Sequence, residues 1–160
     1  MSIPLRLSSF LEQYGTRYEV CSHPRSRTSA ETARRAHVCA HELAKSVLVE
    51  DEAGCVLAVV PGDRMVRLGE LSRVLGRQYL HLADEQRVAT LFAGCERGAV
   101  PAFGMAWGVE TVVDDEVEAC PIVYLESGDH EHLLRLAHEE FHALMRPARH
   151  GRFSGAVARH

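Results

Sequence analysis

The sequence predicts an α/β fold of the α+β type: a mixed, barrel-like β-sheet surrounded by helices. Three observations point there. Ser46-Val47-Leu48-Val49 and Val56-Leu57-Ala58-Val59-Val60, joined by a turn at Ala53-Gly54, read as a β-hairpin. Thr28, with Glu31 three residues on, reads as a capping box that opens a helix running to about Ala36. Strand-like and helix-like segments mix without strict βαβ alternation, which favours a mixed or largely antiparallel sheet with helices packed outside.

Taken in order, residues 3–14 place Leu5, Leu7, Phe10, Leu11 and Tyr14 at helical spacing, and Gly15 stops the run. Tyr18 and Val20 alternate with polar neighbours, as in a short strand. In the hairpin, continuous apolarity and β-branching predict strands buried on both faces. Residues 69–76 and 84–92 read as helices with a strand at 79–82 between them. Residues 94–108 have little periodicity and read as an ordered loop. Strands at 111–113 and 122–125 follow, and Gly128 is a turn. Leu133-Leu134-Arg135-Leu136 fits strand or helix. A helix over 138–145 ends at Pro147. One domain is expected over 1–147, with 148–160 a flexible tail.

Composition sets bounds on function. A chain of 160 residues with 46% hydrophobic and 25% charged residues suits one globular domain with its own core. No run nears the roughly 18 apolar residues of a membrane span. Met1-Ser2-Ile3-Pro4-Leu5-Arg6 lacks the pattern of a secretory leader, so a cytoplasmic location with no membrane contact is expected. The five cysteines are widely spaced with no CxxC pair, which predicts reduced, mostly buried thiols. A net charge of −4 gives no support for broad nucleic-acid binding. Arg25, Arg27, Arg34, Arg35 and Lys45 could still form a local patch for one or two phosphates. The acidic run Asp114–Glu118 is expected elsewhere on the surface. Lys45 is the only lysine among 18 basic residues. Arginine-favouring base composition accounts for the scarcity, though not for the position of the survivor beside an apolar strand. A compact ammonium is not replaced by a planar guanidinium.

Four motifs carry chemistry. His138-Glu139-Glu140-Phe141-His142 matches H-E-x-x-H, but Met145 and Ala148 fill the Gly and His positions of its extended form, and a third zinc ligand is lacking. A solvated helix face with Phe141 and Leu144 inward is the plainer reading, and no metal is expected. Cys21 and His23, two apart, could share a strand face, but catalytic pairs usually assemble from distant segments. The loop Gly98-Ala99-Val100-Pro101-Ala102-Phe103-Gly104 lets another molecule approach the backbone, and its N–H groups could stabilise an oxyanion. A tight helix-to-strand connection is its other reading. His130 follows the Gly128 turn at a strand end, a good place for a pocket residue.

Together these segments resemble the YbaK and prolyl-tRNA synthetase-associated editing domain family over about residues 3–146. The carriers are His23-Pro24 with Thr28-Ser29-Ala30-Glu31, then Glu42-Leu43-Ala44-Lys45-Ser46-Val47, then the Gly98–Gly104 loop, then Ser127-Gly128-Asp129-His130. The resemblance implies a barrel-like mixed sheet and hydrolysis of tRNA charged with a wrong, small amino acid. It implies Lys45, Gly98 and His130 as catalytic residues. Lys45 would grip a phosphate near the terminal adenosine, Gly98 would hold the ester, and His130 would shape the pocket. Thr28, Ala99, Val100, Pro101, Ala102, Phe103 and Gly104 would bind substrate. A positioned water helped by the ribose hydroxyl would suffice, with no cofactor. The partner would be the aminoacyl-tRNA 3′ end, with prolyl-tRNA synthetase or another translation factor alongside; the residues leave the oligomeric state open, with a monomer favoured. The family loop is Gly-x-x-x-Pro; here Ala102 takes the last position and Pro101 stands one place early, which bears first on amino-acid preference.

Two other functions fit the residues. One is a non-catalytic module on the same fold that holds tRNA, a nucleotide or a synthetase. The other is a zinc hydrolase using His138 and His142.

Overall fold

In the computed structural model, which describes residues 3–157, helix α1 (Leu5–Gln13) is followed by strand β1 (Glu19–Ser22) and helix α2 (Ser29–Ala36). Thr28 caps α2, its hydroxyl accepting the Glu31 N–H at 3.1 Å, as the sequence predicts. The hairpin is longer than its apolar run: β2 (Leu43–Asp51) pairs antiparallel with β3 (Gly54–Pro61). A short β4 (Arg64–Val66) leads to α3 (Leu68–Leu75), β5 (His81–Leu82) and α4 (Glu85–Leu91). After the loop come β6 (Glu110–Asp114), α5 (Asp115–Glu118), β7 (Ile122–Glu126), β8 (His132–Ala137) and α6 (His138–Met145). The undecided segment at 133–136 is therefore strand, held by β1 on one side and β7 on the other.

The main sheet runs β1-β8-β7-β2-β3-β6 and ends on β9 (Arg149–Gly151), with parallel and antiparallel pairs mixed. It is open, with β1 and β9 at its two ends, rather than a closed barrel. Strand β3 is buried on both faces. Leu57 and Val59 enter a core with Leu7 and Leu11 of α1 and Phe141 and Leu144 of α6. Val56, Ala58 and Val60 enter a second core with Leu71 and Leu75 of α3. This is the period-two alternation of a strand sandwiched between helices.

Part of the segment expected as a tail, 149–156, forms paired strands. β9 pairs with β6, and β10 (Ser154–Ala156) pairs with β4. Phe153 between them is buried. The cause lies in the acidic run, which is not wholly at the surface. Asp114 is 1% exposed, and its Oδ2 accepts the Phe153 and Ser154 N–H groups at 2.9 and 2.8 Å. Positions 158–160 of that tail lie outside the described residues. No helix among the described residues is long and apolar enough to cross a membrane.

Candidate functional site

Strand β2 is incompletely paired on one edge. It joins β7 at Leu43 and Ala44, and β5 at Val49 and Glu50. Between them, Lys45–Leu48 have a strand partner only in β3 among the described residues. The Leu43 carbonyl accepts from Gly62 N–H on the β3 side, and the Leu48 carbonyl accepts from Ala83 N–H on the β5 side. Backbone groups alternate along a strand, so Ser46 turns its N–H and C=O to the unpaired edge. The sheet thus has a gap there.

A cavity of about 240 Å³ occupies the gap. Leu48, Leu57, Val88 and Phe92 form its apolar wall, while Lys45, Ser46, Arg97, Gly98 and Glu126 bring polar atoms. Among the described residues, the buried Ser46 hydroxyl and both buried Glu126 carboxyl oxygens have no hydrogen-bond partner. Burial pushes the Glu126 carboxyl up to about 7; the Thr32 hydroxyl opposes this and Asp129 adds to it. Lys45 is half-buried and its Nζ donates to the Arg64 carbonyl at 2.6 Å. Burial lowers the pKa of this ammonium, and Asp63 works against that. Cys95 also lines the cavity, but burial pushes its thiol up to about 12, so it is no thiolate nucleophile near neutrality.

The loop after α4 forms another wall. Gly98 has φ +78°, and a β-carbon there would stand 3.2 Å from His130 Cε1. A β-carbon on Gly104 would meet Thr111 Oγ1 at 2.6 Å. Both positions therefore need glycine. Ala99 N–H bonds to the Glu96 carbonyl at 3.0 Å, whereas the N–H groups of Gly98 and Val100 have no acceptor among the described residues. Gly98 is exposed and Val100 buried, and both line the cavity. An unpaired buried N–H is rare in folded proteins.

His130 stands behind this loop rather than in the cavity wall. Its Nε2 donates to the Arg97 carbonyl; because a carbonyl only accepts, Nε2 carries the proton. Arg25 adds a second tie, to Glu96 on the loop and to the Asp129 carbonyl. Asp129 is itself fixed. Burial works against its ionisation, but N–H bonds from Glu131 and His132, with the His132 ring, outweigh that and hold its carboxyl below the usual value.

The structure gathers some of the sequence-predicted residues and not others. Lys45, Gly98 and Val100 meet at the cavity. Thr28 is spent on the helix cap. Ala99, Pro101, Ala102, Phe103 and Gly104 are buried away from the cavity wall, with Phe103 packed on Phe10 and Phe141 at 5.6 and 5.8 Å. Ser46 and Glu126 line the cavity too, and the motifs did not single them out. The available signal was a carboxylate closing the apolar run Ile122–Leu125. His142 Nδ1 and His150 Nε2 share Glu118 Oε2, each at 2.9 Å. Among the described residues no three His, Cys, Asp or Glu side chains are grouped to hold a metal ion. All five cysteines are free; Cys120 is buried, Cys39 is exposed and the others are half-buried, so the thiols are less buried than expected.

Comparison with known proteins adds a relationship. A family model described as the aminoacyl-tRNA editing domain matches residues 23–144. The proline–tRNA ligase of Xanthomonas oryzae pv. oryzae (strain MAFF 311018) is 34% identical over 96 residues, which cover 60% of this chain and 17% of that much longer protein. The crystal structure of a candidate trans-editing enzyme for prolyl tRNA synthetase superposes with a TM-score of 0.81 at 26% identity, covering 94% of this chain and 96% of that one. A signal transduction protein candidate from Marinobacter aquaeolei VT8 shares the fold, with a TM-score of 0.74 at 24% identity, over 96% of this chain and 31% of that one.

Proposed function

Because the chain belongs to the aminoacyl-tRNA editing domain family, we propose that it is a trans-acting deacylase for tRNA carrying a wrong, small amino acid of the alanine, cysteine or serine type. The observation that carries this reading is the pair of backbone N–H groups, Gly98 and Val100, that have no acceptor among the described residues and lie beside the open edge of β2. An aminoacyl ester needs little activation. Water attacks the ester carbonyl carbon and the bond from that carbon to the ribose oxygen breaks. A proton from the water passes to the ribose oxygen, leaving a free amino acid and a tRNA with its terminal hydroxyl restored. The neighbouring ribose hydroxyl holds the water. The two N–H groups meet the charge that grows on the carbonyl oxygen, and preorganised donors of this kind are worth about 10²–10³ in rate.

Lys45 anchors a phosphate near the terminal adenosine, exchanging the Arg64 carbonyl for it. Gly98 presents the ester, and His130 positions Gly98 from behind. The cavity volume supports a small aminoacyl group, since about 240 Å³ is below the ~300–1,000 Å³ of drug-sized ligand sites. The proline–tRNA ligase relative makes mischarged proline tRNA the first substrate to assay, and prolyl-tRNA synthetase the first partner.

The test is a panel of tRNAs mischarged with alanine, cysteine or serine, set against correctly charged ones. Selective release of a small, wrong amino acid is expected. No release above background, together with salt-dependent tRNA binding, would instead favour a non-catalytic module.

A further inference from the structure

Glu126 is 3% exposed, and neither of its carboxyl oxygens has a hydrogen-bond partner within bonding distance among the described residues. Buried charges are normally paired, because an isolated one is costly. Among the described residues no cation pairs with Glu126. The Thr32 hydroxyl of α2 lies near enough to hold its pKa down somewhat, but it is neutral, and its close contact is Ser26 Oγ at 2.5 Å. The nearest cation along the register is Lys45. The ladder pairs Leu43 with Tyr124 and Ala44 with Leu125, so Lys45 is the next step, opposite Glu126. The strands part at that point, and the ammonium turns to Arg64 instead. Asp129 is a further acid and offers only repulsion. A carboxylate accepts and does not donate, so what the cavity lacks at Glu126 is an N–H or O–H donor, best a cation. Ser46 Oγ, the other unpartnered side-chain atom of the wall, can accept as well.

We propose that Glu126 binds the α-ammonium group of the aminoacyl ester and makes the site select a substrate with a free amine. This rests on the deacylase reading and adds the group that orients its substrate. An aminoacyl ester has its ammonium and its carbonyl on adjacent carbons. Gly98, Val100 and Glu126 line the same cavity, so in this proposal the two N–H groups take the carbonyl while Glu126 takes the ammonium. An acetylated amine carries no charge and leaves Glu126 unpaired. Sites built around a buried polar group reject analogues that cannot satisfy it.

The test uses adenosine whose 3′ oxygen is replaced by nitrogen and joined to alanine through an amide, alongside its N-acetyl form. Binding to the wild type and to Glu126→Gln is followed through Trp107, the chain's single tryptophan, which packs 5.4 Å from Phe92 of the cavity wall. Thermal unfolding confirms that the variant is folded. The wild type should bind the free-amine probe at least roughly tenfold more tightly than the acetylated one, and Glu126→Gln should bind both alike. Equal binding by the wild type, no binding of either probe, or a preference retained in Glu126→Gln overturns the proposal. The amide cannot be hydrolysed, so the result is independent of turnover. A clear preference for the amine in a chain that deacylates no tRNA would sink the deacylase reading and leave the amine site standing.

Discussion

Gly98 lies against the ring of His130: a β-carbon on Gly98 would stand 3.2 Å from His130 Cε1 and 3.5 Å from the Arg27 carbonyl. The same imidazole takes the Arg97 carbonyl one residue earlier. One buried ring therefore sets the path of the loop at two successive residues. The loop's free N–H groups depend on that path.

Gly98→Ala adds a side chain where φ is +78° and crowds His130. It should cost about 1–2 kcal/mol of stability, measured by denaturant unfolding. It should also slow deacylation, because the Gly98 N–H moves. A variant with wild-type stability and rate would show that the contact does not hold the loop.

Glu126→Gln should change how stability depends on pH. The folded carboxyl titrates near 7 against an ordinary 4.5. Between those values the folded chain keeps a proton that the unfolded chain has lost, so wild-type stability falls as pH rises through the window. Glutamine carries no charge and escapes this fall. The variant should gain on the wild type as pH rises, by roughly 2–3 kcal/mol once above 7. A difference that stays constant from pH 4 to pH 8 would contradict the burial of an unpaired carboxyl.

Asp114→Ala should loosen the C-terminal strands. Asp114 accepts from Phe153, Ser154 and Glu116 N–H groups, and its loss leaves buried donors without partners. The cost should be about 2–4 kcal/mol. Limited proteolysis should then cut within 149–157 before the rest of the chain. Unchanged protease resistance would mean that these bonds do not fix the segment.

Thr28→Ala removes the hydroxyl that caps α2 and should cost about 1 kcal/mol, read as a shift of the unfolding midpoint. No shift would mean that the cap contributes nothing.

Local chemistry made much of this fold readable. The Thr28 cap, the Ala53-Gly54 hairpin and the helix at 138–145 each follow from residues close in sequence, and each is present. What escaped depends on long-range pairing. The gap at Lys45–Leu48 exists because β7 and β5 meet β2 at separate points, which no spacing within β2 encodes. Strands β9 and β10 look like a polar tail until Asp114 accepts from their connecting residues. Glu126 sat beside the motif that ended in His130, but only burial distinguishes an unpartnered carboxylate from an ordinary strand end. The family pattern pointed to Lys45 and Gly98, and these two do share the cavity. Most of the Gly98–Gly104 loop instead serves the core.

The most direct measurement is hydrolysis of alanine-charged proline tRNA, under single-turnover conditions, by the wild type and by Lys45→Ala. Lys45 lies at the gap with a half-buried ammonium held by one carbonyl. The Lys45→Ala rate should fall roughly a hundredfold or more while the melting temperature stays within a few degrees of the wild type. A folded Lys45→Ala protein that hydrolyses this tRNA at the wild-type rate would contradict the proposed role of Lys45.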